Sequence, residues 1–134
     1  MLKKLKPPFN NMAKQKILVI EDENSLRRAL VEKLNHSGYT PIEAKDGQAG
    51  LALALKEYPD LILLDIVMPV MDGLTMLDKL RKNSWGRDVP VILLTNLNES
   101  KDIAEAIKNG AYDYLVKSDW KLEDVITVIR QHLK

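Results

Sequence analysis

Cysteine is absent from the 134 residues, which excludes disulfides, zinc–thiolate centres and thiol nucleophiles. Aromatic residues make up 5% of the chain, and Phe9 is the sole phenylalanine; that is poor material for a base-stacking surface. No apolar run reaches the roughly 18 residues that a membrane-spanning helix needs. The N-terminus lacks the apolar core of a secretory signal. No G-x-G-x-x-G follows the first apolar run, and no G-x-x-x-x-G-K-[ST] occurs, so neither a dinucleotide cradle nor a phosphate loop is expected. The two histidines, His36 and His132, fall at the ends of expected helices and read as surface residues. No Ser-His-Asp triad can be assembled from them.

Charge is nearly balanced overall, at +1, but unevenly placed. Residues 1–16 hold Lys3, Lys4, Lys6, Lys14 and Lys16 and no acid, whereas the other 118 residues carry 15 Lys+Arg against 19 Asp+Glu. An acidic body argues against a reader of the nucleic-acid backbone. Pro7-Pro8, Asn10-Asn11 and the lack of periodicity mark residues 1–15 as a basic, disordered tail. Residues 16–134 then form one domain, with the 46% hydrophobic and 29% charged composition of an ordinary globular, cytoplasmic protein.

Within that domain two patterns alternate. Ile17–Ile20, Leu61–Leu64 and Val91–Leu94 are short, continuous apolar runs, as expected of strands buried on both faces. Tyr39–Ala44 and Tyr114–Val116 complete five strands. Pro41 cannot donate to a ladder, which places the second strand at a sheet edge. Leu26, Leu30 and Leu34 recur at helical spacing, and Gly38 ends that helix. Asp46 caps a second helix that runs to about Glu57. Further helices are predicted at about Leu74–Lys82, Ser100–Lys108 and Leu122–Leu133. Alternation of this kind gives an α/β fold, a doubly wound parallel sheet with helices on both faces.

Ligands in such sheets bind at the carboxyl ends of the strands. The first strand delivers Glu21, Asp22 and Glu23, the third Asp65, the fourth Thr95 and Asn96, and the fifth Lys117. Any one of these has an ordinary reading as a helix cap or a solvated tip; all four strand ends together do not. Crowded carboxylates need a proton or a metal to neutralise them. An all-oxygen donor set favours Mg²⁺ (or Mn²⁺), which takes one or two protein carboxylates and keeps several waters. Asp22 and Asp65 are the expected ligands, with Glu21 reaching the metal through water or not at all. A carboxylate beside Mg²⁺ and a lysine is equipped to attack phosphorus. Lys117 would neutralise the phosphoryl charge and Thr95 would hydrogen-bond the phosphoryl group.

Ile17–Glu23, the stretch Asp65-Ile66-Val67-Met68-Pro69-Val70-Met71-Asp72-Gly73, Leu94-Thr95 and Tyr114-Leu115-Val116-Lys117 together resemble the receiver domain of two-component response regulators. The resemblance implies a flavodoxin-like fold with strand order 2-1-3-4-5. It implies that Asp65 accepts a phosphoryl group from a histidine kinase or histidine phosphotransfer protein, and that the backbone carbonyl of Val67 completes the metal site. Thr95 and Tyr114 would form a switch pair, although packing is an equal reading of Tyr114 by itself. The switch would act on a protein-binding face made by the fourth helix, fifth strand and fifth helix, which Trp120 borders. Three residues depart from the usual pattern: Glu21 for aspartate, Asn96 for a small residue, which either narrows the approach to Asp65 or adds a donor there, and Ser118 for proline, which makes a cis bond after Lys117 unexpected. Apolar Val67 and Leu97 flank the path of the hydrolytic water in this family and cannot orient it, so a long-lived aspartyl phosphate is expected.

The chain ends at the fifth helix, so the expected molecule is a stand-alone receiver, monomeric or dimerising on phosphorylation, with an unidentified downstream protein partner. It assists its own phosphorylation and dephosphorylation and is not otherwise an enzyme. No specific nucleic-acid or membrane binding is expected. A haloacid-dehalogenase-type phosphatase would need a second aspartate where Val67 stands. The alternative is a phosphorylation-independent interaction module on a receiver fold.

Overall fold

In chain order the elements are β1 (Lys16–Ile20), α1 (Asn24–His36), β2 (Thr40–Ala44), α2 (Gly47–Glu57), β3 (Leu61–Asp65), α3 (Gly73–Arg81), β4 (Val91–Thr95), α4 (Ser100–Lys108), β5 (Asp113–Val116) and α5 (Leu122–His132). They belong to a computed structural model that describes residues 14–96 and 100–133. Nearly all of the basic tail and Leu97 lie outside the described residues. The strands form one parallel sheet in the order β2-β1-β3-β4-β5. Pro41 sits on the outermost strand, opposite Ile17, as its missing N–H requires.

Each central strand buries both faces, and alternation divides its side chains between two cores. Leu18, Ile20, Ile62, Leu64, Val91 and Leu93 pack with Ala54, Met76, Leu77, Leu80 and Ala106 from α2, α3 and α4. Ile17, Val19, Leu61, Leu63, Ile92 and Leu94 pack with Leu30, Leu34, Val125, Ile126 and Ile129 from α1 and α5. Burying each of the Val, Ile, Leu and Met side chains fully contributes about 1.5–3 kcal/mol. Both cores run up to the carboxyl ends of the strands, so the residues just beyond them inherit rigid starting points.

Aspartates begin two of the helices. Asp46 accepts from the Ala49 N–H at the start of α2, and Asp72 from the Thr75 N–H at the start of α3, each at 2.8 Å. At α1 the N-cap is Glu23, and its side chain makes no capping bond. Gly73 is required by close approach: a Cβ there would lie 2.3 Å from the carbonyl oxygen of Asp65. Its N–H donates to the Ile66 carbonyl at 2.7 Å, which ties the start of α3 to the end of β3.

The loop between them holds one strained residue. Val70 has φ +68° and is 75% exposed. A β-branched side chain in the left-handed region is costly, whereas asparagine tolerates it. Val70→Asn should therefore raise stability by about 1 kcal/mol, read as a higher urea midpoint with an unchanged m-value.

Candidate functional site

β1 and β3 are neighbours in the sheet, but their following helices lie on opposite faces, so the loops after them part and leave a crevice. Glu21 and Asp22 stand on one side of it and Asp65 on the other. Each offers an oxygen within 4.8 Å of the others. Glu21 is fully buried and Asp65 nearly so, while Asp22 is exposed. Lys117, just beyond β5, reaches both buried acids: its Nζ lies 2.8 Å from Glu21 Oε1 and 3.2 Å from Asp65 Oδ1. The Lys117 main-chain N–H donates to the Thr95 carbonyl at 2.7 Å, so the ends of β4 and β5 advance together.

Glu21 is held at both oxygens. Oε1 faces Lys117, and Oε2 accepts the N–H of Glu23 at 2.9 Å. Its longer arm folds back onto its own loop, a contact that residue type and spacing do not foretell. Arg27, one turn into α1, was not singled out by its sequence either. It donates from Nη1 to the Glu21 carbonyl at 2.9 Å, from Nη2 to Asn24 Oδ1 at 2.8 Å and from Nε to Glu43 Oε1 at 3.0 Å. The available signal was its place six residues after the first acid, which a single helical turn folds back over the loop.

Thr95 is fully buried, and its hydroxyl donates to the Asn96 carbonyl at 2.8 Å. Tyr114 is 44% exposed. The β4–β5 register sets Leu93 beside Tyr114 and Thr95 beside Val116. Thr95 and Tyr114 therefore project from one face of the sheet on adjacent strands, and Lys117 continues the opposite face of β5. A shallow groove lined by Glu23, Ser25, Leu26, Asn96, Lys117 and Ser118 borders the site; two of the three unusual residues thus frame its mouth. No described peptide bond is cis. Val67 is 58% exposed at the rim.

The remaining expected groups lie away from this crevice. His36 is exposed and bonds the Glu32 carbonyl, but His132 is half-buried, 3.3 Å from Asp113 and edge-on to Tyr112. Trp85 is half-buried against Tyr58, and Trp120 half-buried beside the α1–α5 core.

Burial is the largest influence on Asp65 and pushes its carboxyl up to about 7; the Glu21 charge adds to this and Lys117 opposes it. Burial alone would lower Lys117, but the two carboxylates outweigh it and hold the ammonium above its ordinary range. The set is acidic, built of oxygen donors and short of positive charge, which fits a hard divalent cation.

Residues 17–130 match the family described as the response regulator receiver domain. The chain belongs to that family. The probable transcriptional regulator ycf27 of Porphyridium aerugineum is 45% identical over 106 residues, which cover 79% of this chain and 43% of that protein. The chain spans less than half the length of such curated relatives; the family supports a receiver domain, not the stand-alone arrangement expected above. The chemotaxis protein CheY4 of Vibrio cholerae superposes with a TM-score of 0.83 at 30% identity, over 90% of this chain and 99% of that one. The receiver domain of sensor histidine kinase PA1611 from Pseudomonas aeruginosa PAO1, with magnesium coordinated in its active site cleft, gives 0.80 at 29% identity, over 88% and 96%. Among the described residues of this receiver domain no helix is long and apolar enough to cross a membrane.

A folded-state value near 7 lies above the unfolded value of 3.8, so the fold holds this proton more tightly than the unfolded chain does. The associated stability is complete below about pH 4 and is lost as pH rises through about 7. In chelator-treated protein at pH 8, Asp65→Asn should be more stable than wild type by roughly 2–4 kcal/mol, at 1.4 kcal/mol per pH unit, and the gain should vanish near pH 4. Denaturant melts at the two pH values check this.

Proposed function

We propose that this receiver domain accepts a phosphoryl group on Asp65 and answers by repacking the face built by α4, β5 and α5. The observation that carries the reading is the carboxylate of Asp65, nearly buried, 3.2 Å from the Lys117 ammonium and within 4.8 Å of two further acids. The donor is a histidine kinase or histidine phosphotransfer protein, as the family implies. In the transfer an Asp65 oxygen forms the new bond to phosphorus while the bond to the donor's imidazole nitrogen breaks, and the imidazole keeps the electron pair. Lys117 neutralises charge on the phosphoryl oxygens, and the exposed Asn96 offers a further donor at the mouth.

Asp22, Asp65 and the Val67 carbonyl would hold Mg²⁺ or Mn²⁺. Glu21, with both oxygens engaged, would act on it through water. When bound, the ion screens the negative charge that gathers between carboxylate and phosphoryl group. The Thr95 hydroxyl, now given to the Asn96 carbonyl, would turn to the phosphoryl group, and the outward ring of Tyr114 would follow inward. Their shared sheet face supports that coupling. The domain assists its own phosphorylation and dephosphorylation and turns over no separate substrate. A cytoplasmic location and a downstream protein partner follow from the same reading; the ycf27 relatives, described as transcriptional regulators, suggest that the message reaches transcription.

Incubation with a small phosphodonor and Mg²⁺ should add the mass of one phosphoryl group, lost with chelator and in Asp65→Asn. No added mass from either a small donor or a kinase would return the chain to the phosphorylation-independent module. Val67→Asn, which places a polar amide at the exposed rim, should shorten the lifetime of the phosphorylated form several-fold in a chase by intact mass.

A further inference from the structure

Arg27 holds the acidic loop from the α1 side. Its side chain is only 11% exposed. It spends three N–H groups on three elements: the Glu21 carbonyl at the end of β1, the Asn24 amide oxygen in the first turn of α1, and Glu43 on β2. The loop it holds is also anchored through the Glu21 carboxylate, whose Oε1 faces Lys117 and whose Oε2 accepts the Glu23 N–H. The Glu21 N–H donates to the Ala44 carbonyl at 3.1 Å, and the Glu23 carbonyl accepts from the Arg27 N–H at 2.9 Å. α1 has no side-chain cap and no acid in its first turn, and Asn24, which could serve such a role, gives its oxygen to Arg27 instead.

The peptide between Glu21 and Asp22 begins at the carbonyl that Arg27 grips. Its plane sets where Asp22 Cα and its exposed carboxylate stand relative to Asp65. Three carboxyl groups lie within 4.8 Å; where they are charged they repel one another, so a fixed backbone under the exposed Asp22 matters to its placement. We infer that Arg27 is a positioning residue for the cation site. It fixes the Glu21–Asp22 peptide and so presents Asp22 to a divalent ion opposite Asp65. The inference rests on the reading of this crevice as a Mg²⁺-dependent phosphoacceptor site.

Groups that orient a metal ligand without touching the metal commonly change affinity by about 10–100-fold when removed. Calorimetric titration with MgCl₂ should show binding to the wild-type domain weakened about tenfold in Arg27→Ala, with circular dichroism unchanged. With a small phosphodonor, the Mg²⁺ concentration for half-maximal rate should rise by the same factor, while the rate at saturating Mg²⁺ stays within about twofold, because Asp65 and Lys117 are untouched. Arg27→Lys keeps the charge but loses the three-way fork, and should behave like the alanine variant; it carries the test if Arg27→Ala does not fold. Glu43→Ala removes only the exposed arm of the network and should bind Mg²⁺ as wild type does. Equal Mg²⁺ affinity in wild type and both Arg27 variants would overturn the inference. A wild-type domain that binds no Mg²⁺ would instead overturn the reading on which it rests.

Discussion

Lys117 leaves β5 and extends past β4 to the ends of β1 and β3, where its ammonium meets Glu21 and Asp65. One positive charge serves two buried carboxylates, and a third, Asp22, stands at the opening. Removing one partner of a buried charge pair leaves the other uncompensated, at about 3–5 kcal/mol, so the ammonium is part of the fold as well as of the site. It still leaves the cluster short of positive charge. Burial, with the Glu21 charge adding to it, raises Asp65, and the deficit makes the crevice receptive to a hard cation.

The parallel sheet makes this arrangement reachable. Each strand carries its side chains alternately to two cores, and the alternation continues past the last buried position. Glu21 and Asp65 follow Val19 and Leu63 in phase, Lys117 follows Leu115, and all of these belong to the α1–α5 side. Thr95 is out of phase with them. It follows Leu93 on the other side, the side of Tyr114. The groups that hold charge and the pair assigned to switching thus occupy opposite faces of one sheet, joined by the Lys117 N–H bond to the Thr95 carbonyl.

The residues that end strands were legible in the sequence because the strands before them are unbroken apolar runs. Pro41 marked the edge, and Asp46 and the motif from Asp65 to Gly73 marked loop and helix start. Long-range partners of polar side chains were not legible. Nothing in Glu21 distinguishes a solvated acid from one buried with both oxygens bound. Arg27 and Arg81 carry no mark of their partners, yet Arg27 is drawn in by the Glu21 carbonyl and two side chains and Arg81 by four backbone carbonyls. The left-handed Val70 was hidden for a related reason, since neighbouring Pro69 and Met71 say nothing about φ at that position.

Arg81 completes the frame on the far side. It donates to the carbonyls of Gly86 and Val89 in the α3–β4 connection and of Asn109 and Gly110 in the α4–β5 turn, at 2.7–3.1 Å. Its burial lowers its pKa, but the four acceptors replace the water it has lost. α3 is therefore fixed at both ends: Gly73 lies against the Asp65 carbonyl at one and Arg81 grips two loops at the other. At the end of β4 the Thr95 hydroxyl holds the adjacent Asn96 carbonyl. A bond of that kind is exchanged at little cost for a better acceptor. On the reading proposed for Asp65, a change begun there would meet a rigid helix in one direction and an exchangeable hydroxyl in the other, and would pass toward β4, β5 and the exposed ring of Tyr114.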